Sequence, residues 1–324
     1  MTEAPGTRTK SRGRVASSKN ETPTFFAAGD ETLFGILTHP IADPVGMGVI
    51  ALPGGGYIPS THRNRMWVRL CRAAAAEGLH ALRFDYHGVG ESTGVIRRYR
   101  LDEPFVDDLM GAVHWLEDDG IDRFITVGTC FGARTALSAS GLIPGLAGLA
   151  LISCPVRDFG EGEKASTHIA TEWPMGRYVR SALRPQVLVG LFDARRRRSY
   201  SRLAKAKLHA LARGSGGKGS AEGSASPNFL QPLSQLVERR IPVLFVYGTD
   251  DMAYEAFRGA LDGRLGELVA RSESRIQVET VPGLLDGFPQ IEAQDRCLTI
   301  VREWIASHGG GGTPTQENKT WTSD

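Results

Sequence analysis

The chain has 324 residues, of which 41% are hydrophobic and 23% charged; this composition suits one large or two small globular domains and excludes a mainly disordered or fibrous chain. Lys and Arg number 38 against 36 Asp and Glu, and a net charge of +2 gives little reason to expect nucleic-acid binding. No apolar run is long enough to span a bilayer, and the polar first 20 residues do not resemble a secretory signal.

From residue 31 onward, apolar or alternating segments are interspersed with segments of helical periodicity. The predicted strands cover residues 31–38, 47–52, 80–86, 124–127, 149–153, 241–247 and 275–281. The predicted helices cover residues 65–77, 105–116, 131–139 and 293–304. This alternation predicts a mainly parallel sheet covered on both faces, with ligand sites in the loops that follow the carboxyl ends of the strands.

One such loop reads Gly128-Thr129-Cys130-Phe131-Gly132 and leads from a predicted strand into a predicted helix. Two glycines around a central residue permit the tight turn that exposes a nucleophile. The helix N-terminus would also lower the pKa of the Cys130 thiol and favour the thiolate. The sequence therefore predicts Cys130 as a nucleophile, and its alternative role is that of a small buried apolar side chain.

The loop Pro53-Gly54-Gly55-Gly56-Tyr57 follows the strand at 47–52. Small residues allow backbone N–H groups to approach a developing oxyanion. We expect Gly55 or Gly56 to form an oxyanion hole together with the N–H of Phe131. Tyr57, the last residue of this loop, is a candidate for contacting the substrate.

Two more loops complete a set of motifs: residues 85–92 read DYHGVGES, and residues 247–251 read YGTDD. With GTCFG, PGGG and VPGLLDGF, they make residues 23–307 resemble the α/β-hydrolases. The finer pattern is most similar to the exosortase-associated hydrolases, a group near the serine aminopeptidase-like esterases. The resemblance implies an α/β-hydrolase fold with a mostly parallel eight-stranded sheet, helices on both faces and an inserted helical cap.

The same resemblance implies the domain boundaries. The core would comprise residues 21–155 and 241–308, and the cap would comprise residues 156–240 with a flexible Gly- and Ser-rich loop at 214–227. Residues 1–20 and 309–324 are predicted to be disordered tails.

The predicted cap is basic, because residues 171–240 carry 14 Lys or Arg against 4 Asp or Glu. Its densest part is Arg195, Arg196, Arg197, Arg198, Arg202, Lys205 and Lys207. This patch would suit an acyl carrier protein or the phosphates of coenzyme A, and the alternative is a solvated helix face.

The resemblance implies a nucleophile, an acid and a histidine in that chain order. Cys130 matches the nucleophile and Asp251 the acid, with Asp250 as a neighbouring alternative. The histidine is expected within residues 283–288, where Asp286 stands instead. A carboxylate there would raise the pKa of the Cys130 thiol and would be a weak base at neutral pH.

Three hypotheses account for the missing histidine. Another histidine could serve, with His62 and His87 at the correct edge of the sheet and His168 in the cap. Alternatively, Asp251 and Asp286 could share one proton and act as a general acid or base. In the third hypothesis, the site is catalytically silent and the fold serves binding.

Four widely spaced cysteines without a C-x-x-C pair are typical of free thiols: Cys71, Cys130, Cys154 and Cys297. They favour a reducing, cytoplasmic location, and we expect neither a metal site nor a cofactor. We expect a cysteine-dependent enzyme that hydrolyses or transfers the acyl group of a small-molecule ester or thioester through acyl-Cys130. The alternatives are a lyase or cyclase that uses Asp251 and Asp286, or a binding or scaffold protein.

Overall fold

An eight-stranded sheet forms the centre of the computed structural model, which describes residues 20–55, 57–158 and 225–309. The strands are β1 Glu21–Ala28, β2 Glu31–Thr38, β3 Met47–Leu52, β4 His80–Phe84, β5 Arg123–Thr129, β6 Leu146–Ile152, β7 Val243–Gly248 and β8 Ile276–Val281. Their order is β1-β2-β4-β3-β5-β6-β7-β8. The pairs β1–β2 and β2–β4 are antiparallel, and β3 to β8 pair in parallel. The predicted fold class is confirmed.

Helices cover both faces of this sheet. In the described residues they are α1 His62–Ala76, α2 Val106–Asp118, α3 Phe131–Ala139, α4 Pro227–Glu238, α5 Met252–Ala260, α6 Arg264–Arg271 and α7 Ile291–Gly309. One apolar cluster joins the sheet to α2 through α6, and a second joins the opposite face to α1 and α7. Strand β3 contributes side chains to both clusters. Ile50 and Leu52 belong to the first cluster, and Val49 and Ala51 belong to the second, on the opposite face.

Burial on both faces explains why the central strands are continuous apolar runs rather than alternating ones. All six residues of β3 and of β7 are buried. The edge strand β1 escaped prediction because it contains Pro23 and exposes half of its residues. The predicted strand at 80–86 ends earlier, at Phe84, and those at 124–127 and 149–153 start earlier.

Helix α4 lies within the range predicted as cap, yet it packs Phe229, Leu233 and Leu236 into the core beside α3. Residues 1–19, 56, 159–224 and 310–324 lie outside the described residues. They include most of the predicted cap, its basic patch and both predicted tails. Among the helices described, none combines the length and apolar character that crossing a membrane requires.

Candidate active site

Cys130 occupies the turn between β5 and α3 in a strained backbone conformation. Its φ is 48° and its ψ is −109°, in a region that non-glycine residues rarely adopt and that costs on the order of 1–3 kcal/mol. The flanking glycines are required by close packing. A Cβ on Gly128 would lie 2.5 Å from the Gly132 backbone, and one on Gly132 would lie 2.3 Å from the Leu52 carbonyl oxygen. Cys130 therefore lies in a tight, glycine-flanked turn between a strand and a helix, and its role as a nucleophile stays a prediction.

The glycine loop after β3 lies directly against this turn. A Cβ on Gly54 would stand 3.3 Å from the Cβ of Cys130, and Gly55 adopts a left-handed conformation with φ 71°. The backbone N–H of Phe131 hydrogen-bonds Cys130, but burial of the sulfur outweighs the lowering effect of this bond on the Cys130 pKa. The glycine loop and the N–H of Phe131 thus both lie near Cys130, and the oxyanion hole stays a prediction; Gly56 lies outside the described residues.

The surroundings of the Cys130 thiol favour its neutral form. Burial is the largest cause that raises its pKa well above the usual value, followed by the charge of Asp286, with Cys154 and Asp251 adding to the effect. The helix N-terminus was expected to favour the thiolate, but the desolvation of the sulfur and the nearby carboxylate outweigh it. The raised pKa agrees in direction with the effect expected of a carboxylate at position 286, and it is opposite to the effect expected of the helix N-terminus.

Asp251 is fully buried at the end of the loop after β7 and accepts four hydrogen bonds. Its Oδ2 accepts the Ser153 hydroxyl at 2.6 Å and the Gly248 N–H at 2.8 Å. Its Oδ1 accepts the N–H groups of Leu285 and Asp286, both at 2.9 Å. These donors fill the four lone-pair positions of a carboxylate. Asp251 therefore fixes the backbone of the loop that carries Asp286.

Asp286 itself is exposed, in the loop after β8. It stands where the resemblance implies a histidine, and its charge acts on Cys130 more strongly than that of Asp251. The sequence hypothesis paired Asp286 with Asp251, and the loops that carry these two residues meet. The contact between Asp251 and Asp286 described above runs through the backbone N–H of Asp286.

The two candidate histidines have other surroundings. The His87 Nδ1 lies 3.0 and 2.9 Å from the two carboxylate oxygens of Asp108, and its ring packs 4.4 Å from that of Phe105. Burial raises the pKa of the Asp108 carboxyl, and the partner His87 opposes that shift. His62 is exposed at the first residue of α1. His168 lies outside the described residues.

Three residues near the site escaped the sequence analysis. Ser153 follows β6 with φ 45° and donates to Asp251, a role that its place at the carboxyl end of a strand could have suggested. Tyr99 stacks on Phe131 with ring centroids 4.5 Å apart, and its irregular loop offered no signal. Arg134 is fully buried one turn after Cys130 and pairs with Asp158 at 2.5 Å.

Within residues 20–55, 57–158 and 225–309, no group of three or more His, Cys, Asp or Glu side chains is arranged to hold a metal ion. All four cysteines are free thiols.

A profile of the alpha/beta hydrolase family matches residues 49–287 of this chain. A solved structure of proline iminopeptidase from Mycobacterium smegmatis is similar, with 18% identity and a TM-score of 0.55, covering 89% of this chain and 98% of that chain. The esterase Pf2001 from Pyrococcus furiosus has 16% identity and a TM-score of 0.55, covering 90% of this chain and 93% of that chain. At these identities the likeness establishes the fold. A comparison with curated proteins gives no match.

Proposed function

The chain belongs to the alpha/beta hydrolase family, and from this membership and the site geometry we propose a cysteine-dependent acyl hydrolase or acyltransferase. Its substrate is an ester or thioester, and its intermediate is acyl-Cys130. The observation that carries this proposal is the position of Cys130, strained at φ 48° between the glycine loop and the N–H of Phe131. An acyl carbonyl at the sulfur would find backbone donors on both sides.

Asp286 is the proposed proton carrier. As the Cys130 sulfur attacks the acyl carbon, its proton passes to the Asp286 carboxylate, and the carbonyl oxygen becomes an oxyanion near the Phe131 N–H. Collapse of this intermediate expels the alcohol or thiol leaving group, which takes the proton from Asp286. An acceptor (water, an alcohol, a thiol or an amine) then attacks the acyl carbon of acyl-Cys130 and gives its proton to Asp286. The carbon–sulfur bond breaks, the acylated acceptor leaves, and the proton returns from Asp286 to the sulfur.

A resting neutral thiol supports this division of roles. Burial and the Asp286 charge disfavour the free thiolate, so sulfur attack and proton transfer are coupled in one step. Asp251 is a positioning residue in this scheme, because its four hydrogen bonds fix the loop that carries Asp286. The alternative of a lyase or cyclase would require Asp251 and Asp286 to share one proton. The four hydrogen bonds to Asp251 already occupy its lone pairs and therefore do not support such sharing.

We propose that the acyl donors are thioesters of coenzyme A or of an acyl carrier protein, and that the basic part of the chain binds them. The support is compositional, namely the excess of Lys and Arg in residues 171–240. An electrostatic docking surface predicts that the affinity for such donors falls steeply with added salt. The free thiols also favour a reducing, cytoplasmic location.

The second candidate is a catalytically silent binding protein, which the raised pKa of Cys130 favours. Mass spectrometry of the intact protein after incubation with an acyl thioester separates the two. We expect one acyl group on Cys130, lost in Cys130→Ala and retained in Cys71→Ala, a buried thiol on α1. A folded protein that no donor acylates at Cys130 would contradict the enzymatic proposal and support silence.

A further inference from the structure

Aromatic rings lead from the candidate oxyanion donor to the surface. The Phe131 ring is fully buried. The half-buried Tyr99 ring stacks on it at 4.5 Å with an interplanar angle of 29°. The Tyr57 ring follows, 5.5 Å from that of Tyr99, and it is 62% exposed. Among the described residues, the row therefore ends in a largely exposed ring.

This row borders the glycine loop that packs against Cys130. The Tyr99 hydroxyl lies 3.9 Å from where a Cβ on Gly55 would stand, and the neighbouring Gly54 packs against Cys130 in the same way at 3.3 Å. Tyr57 belongs to the loop that contains these glycines. The glycine loop therefore connects the turn at Cys130 to the aromatic row.

We propose that Tyr57 and Tyr99 form the subsite for the acyl group and that they select a flat, aromatic acyl group. The proposal rests on the proposed function and names its substrate class. Aromatic rings favour offset or tilted packing against a further ring, beyond the gain from burying apolar area. A planar aryl ring can extend the existing stack, whereas a puckered aliphatic ring of similar volume cannot.

The test compares phenylacetyl and cyclohexylacetyl thioesters of the same thiol, which have similar intrinsic reactivity and acyl volume. The rate of acylation at Cys130 is measured for each by mass spectrometry and divided by its rate with free N-acetylcysteine. We expect a phenylacetyl preference of about 3- to 10-fold, the range that aromatic pair energies imply. Equal rates, or a preference for the aliphatic ring, would overturn the proposal.

Two variants locate the preference. Tyr57→Leu keeps an apolar side chain but removes the ring, so the ratio of phenylacetyl to cyclohexylacetyl transfer is expected to fall towards 1. Phe25→Leu removes another exposed ring, 58% exposed on the edge strand β1, and the ratio is expected to persist. A ratio unchanged in Tyr57→Leu would assign the selectivity to another part of the site.

Failure of the proposed function is distinguishable from failure of this inference. Acylation of Cys130 by both thioesters without selectivity would leave the function standing and reject the aromatic subsite. If no donor acylates Cys130, binding of phenylacetamide to the protein is measured by calorimetry against cyclohexylacetamide. Preferential phenylacetamide binding that Tyr57→Leu abolishes would support the subsite on a silent protein, and the absence of a preference would reject it.

Discussion

Asp286 makes the proposal testable at the level of one side chain, because its carboxylate has two opposite effects on Cys130. Its charge raises the pKa of the thiol, while its oxygens are the proposed acceptor of the thiol proton. In Asp286→Asn the pKa of Cys130 falls, so the rate of alkylation by neutral iodoacetamide rises at a lower pH than in the parent protein. Acyl transfer at pH 7 is expected to fall by about 100-fold, since general bases contribute 10²- to 10⁴-fold.

The directions of the changes in alkylation and in acyl transfer show whether Asp286 acts as a general base or only repels the thiolate. Peptide mass spectrometry measures Cys130 alkylation from pH 6 to 10, and thioester turnover is followed in parallel. Asp250→Asn serves as the matched control, because it removes an equal charge from an exposed position beside Asp251 and should shift neither profile appreciably. If alkylation and acyl transfer both increase in Asp286→Asn, Asp286 only repels the thiolate and another group accepts the proton.

The sequence predicts those features of the site that depend on neighbouring residues, and it misses those that depend on distant segments of the chain. The turn at Cys130 and the glycine loop were predictable, because a glycine-flanked turn from a strand into a helix is a local pattern. The environment of Asp251 was not, since its four donors come from Ser153, Gly248 and the 285–286 backbone. No sequence spacing reports that these segments meet at one carboxylate. The neutral state of Cys130 likewise follows from burial, which sequence alone does not supply.

At the level of elements, the contact between α3 and β3 depends on the absence of one side chain. A Cβ on Gly132 would lie 2.3 Å from the Leu52 carbonyl oxygen and 2.6 Å from that of Pro53. Gly132→Ala must therefore displace the helix from the strand. We expect the free energy of unfolding to fall by at least about 3 kcal/mol, at the upper end of overpacking costs, or folding to fail.

A second helical glycine provides the matched control. Gly259 in α5 has open space within 4 Å of the point where a Cβ would stand, and it carries no left-handed φ. Gly259→Ala should therefore stabilise the protein by about 0.5–1 kcal/mol, because the unfolded chain loses conformational freedom. Urea denaturation of both variants measures these changes. Similar destabilisation by the two substitutions would contradict the close-contact explanation for Gly132.

The elements that sequence reasoning found are those whose pattern is regular and long or uniformly apolar. Strand β3, six apolar or small residues in a row, was predicted with its observed ends. The missed helices α5 and α6 have nine and eight residues and follow one another closely. Helix α4 contains Pro232 in its interior. Because proline usually interrupts a helix, the sequence offered little indication of this helix, which packs into the core. Tertiary burial stabilises these segments where local pattern gives a weak signal.

On the scale of the whole molecule, one buried ion pair joins the chain segments on either side of residues 159–224. Arg134 of α3 is fully buried and donates to Asp158 at 2.5 Å. Asp158 also accepts the Ser226 hydroxyl and the Asn228 amide, both at 3.0 Å. The Ser226 N–H donates to the Val156 carbonyl at 2.8 Å. Asp158 therefore ties both segments to the helix that begins at Cys130.

Removing this carboxylate should be costly, because the buried guanidinium loses its counter-ion. In Asp158→Ala we expect the free energy of unfolding to fall by about 3 kcal/mol. The matched control is Asp295→Ala, which breaks a 2.6 Å pair with Arg69 whose side chains are 43% and 51% exposed; its effect should stay below about 1 kcal/mol. Equal effects in urea denaturation would show that Asp158 contributes no more than a surface charge.

The strained turn at Cys130 sets stability and reactivity against each other. The φ of 48° is a conformation that glycine adopts freely and that every other residue occupies at a cost. A glycine at this position would relieve the strain and remove the sulfur in the same step. Laboratory evolution for heat resistance alone would therefore tend to discard the proposed nucleophile, so selection for thermostability must be paired with a screen for the proposed acyl transfer.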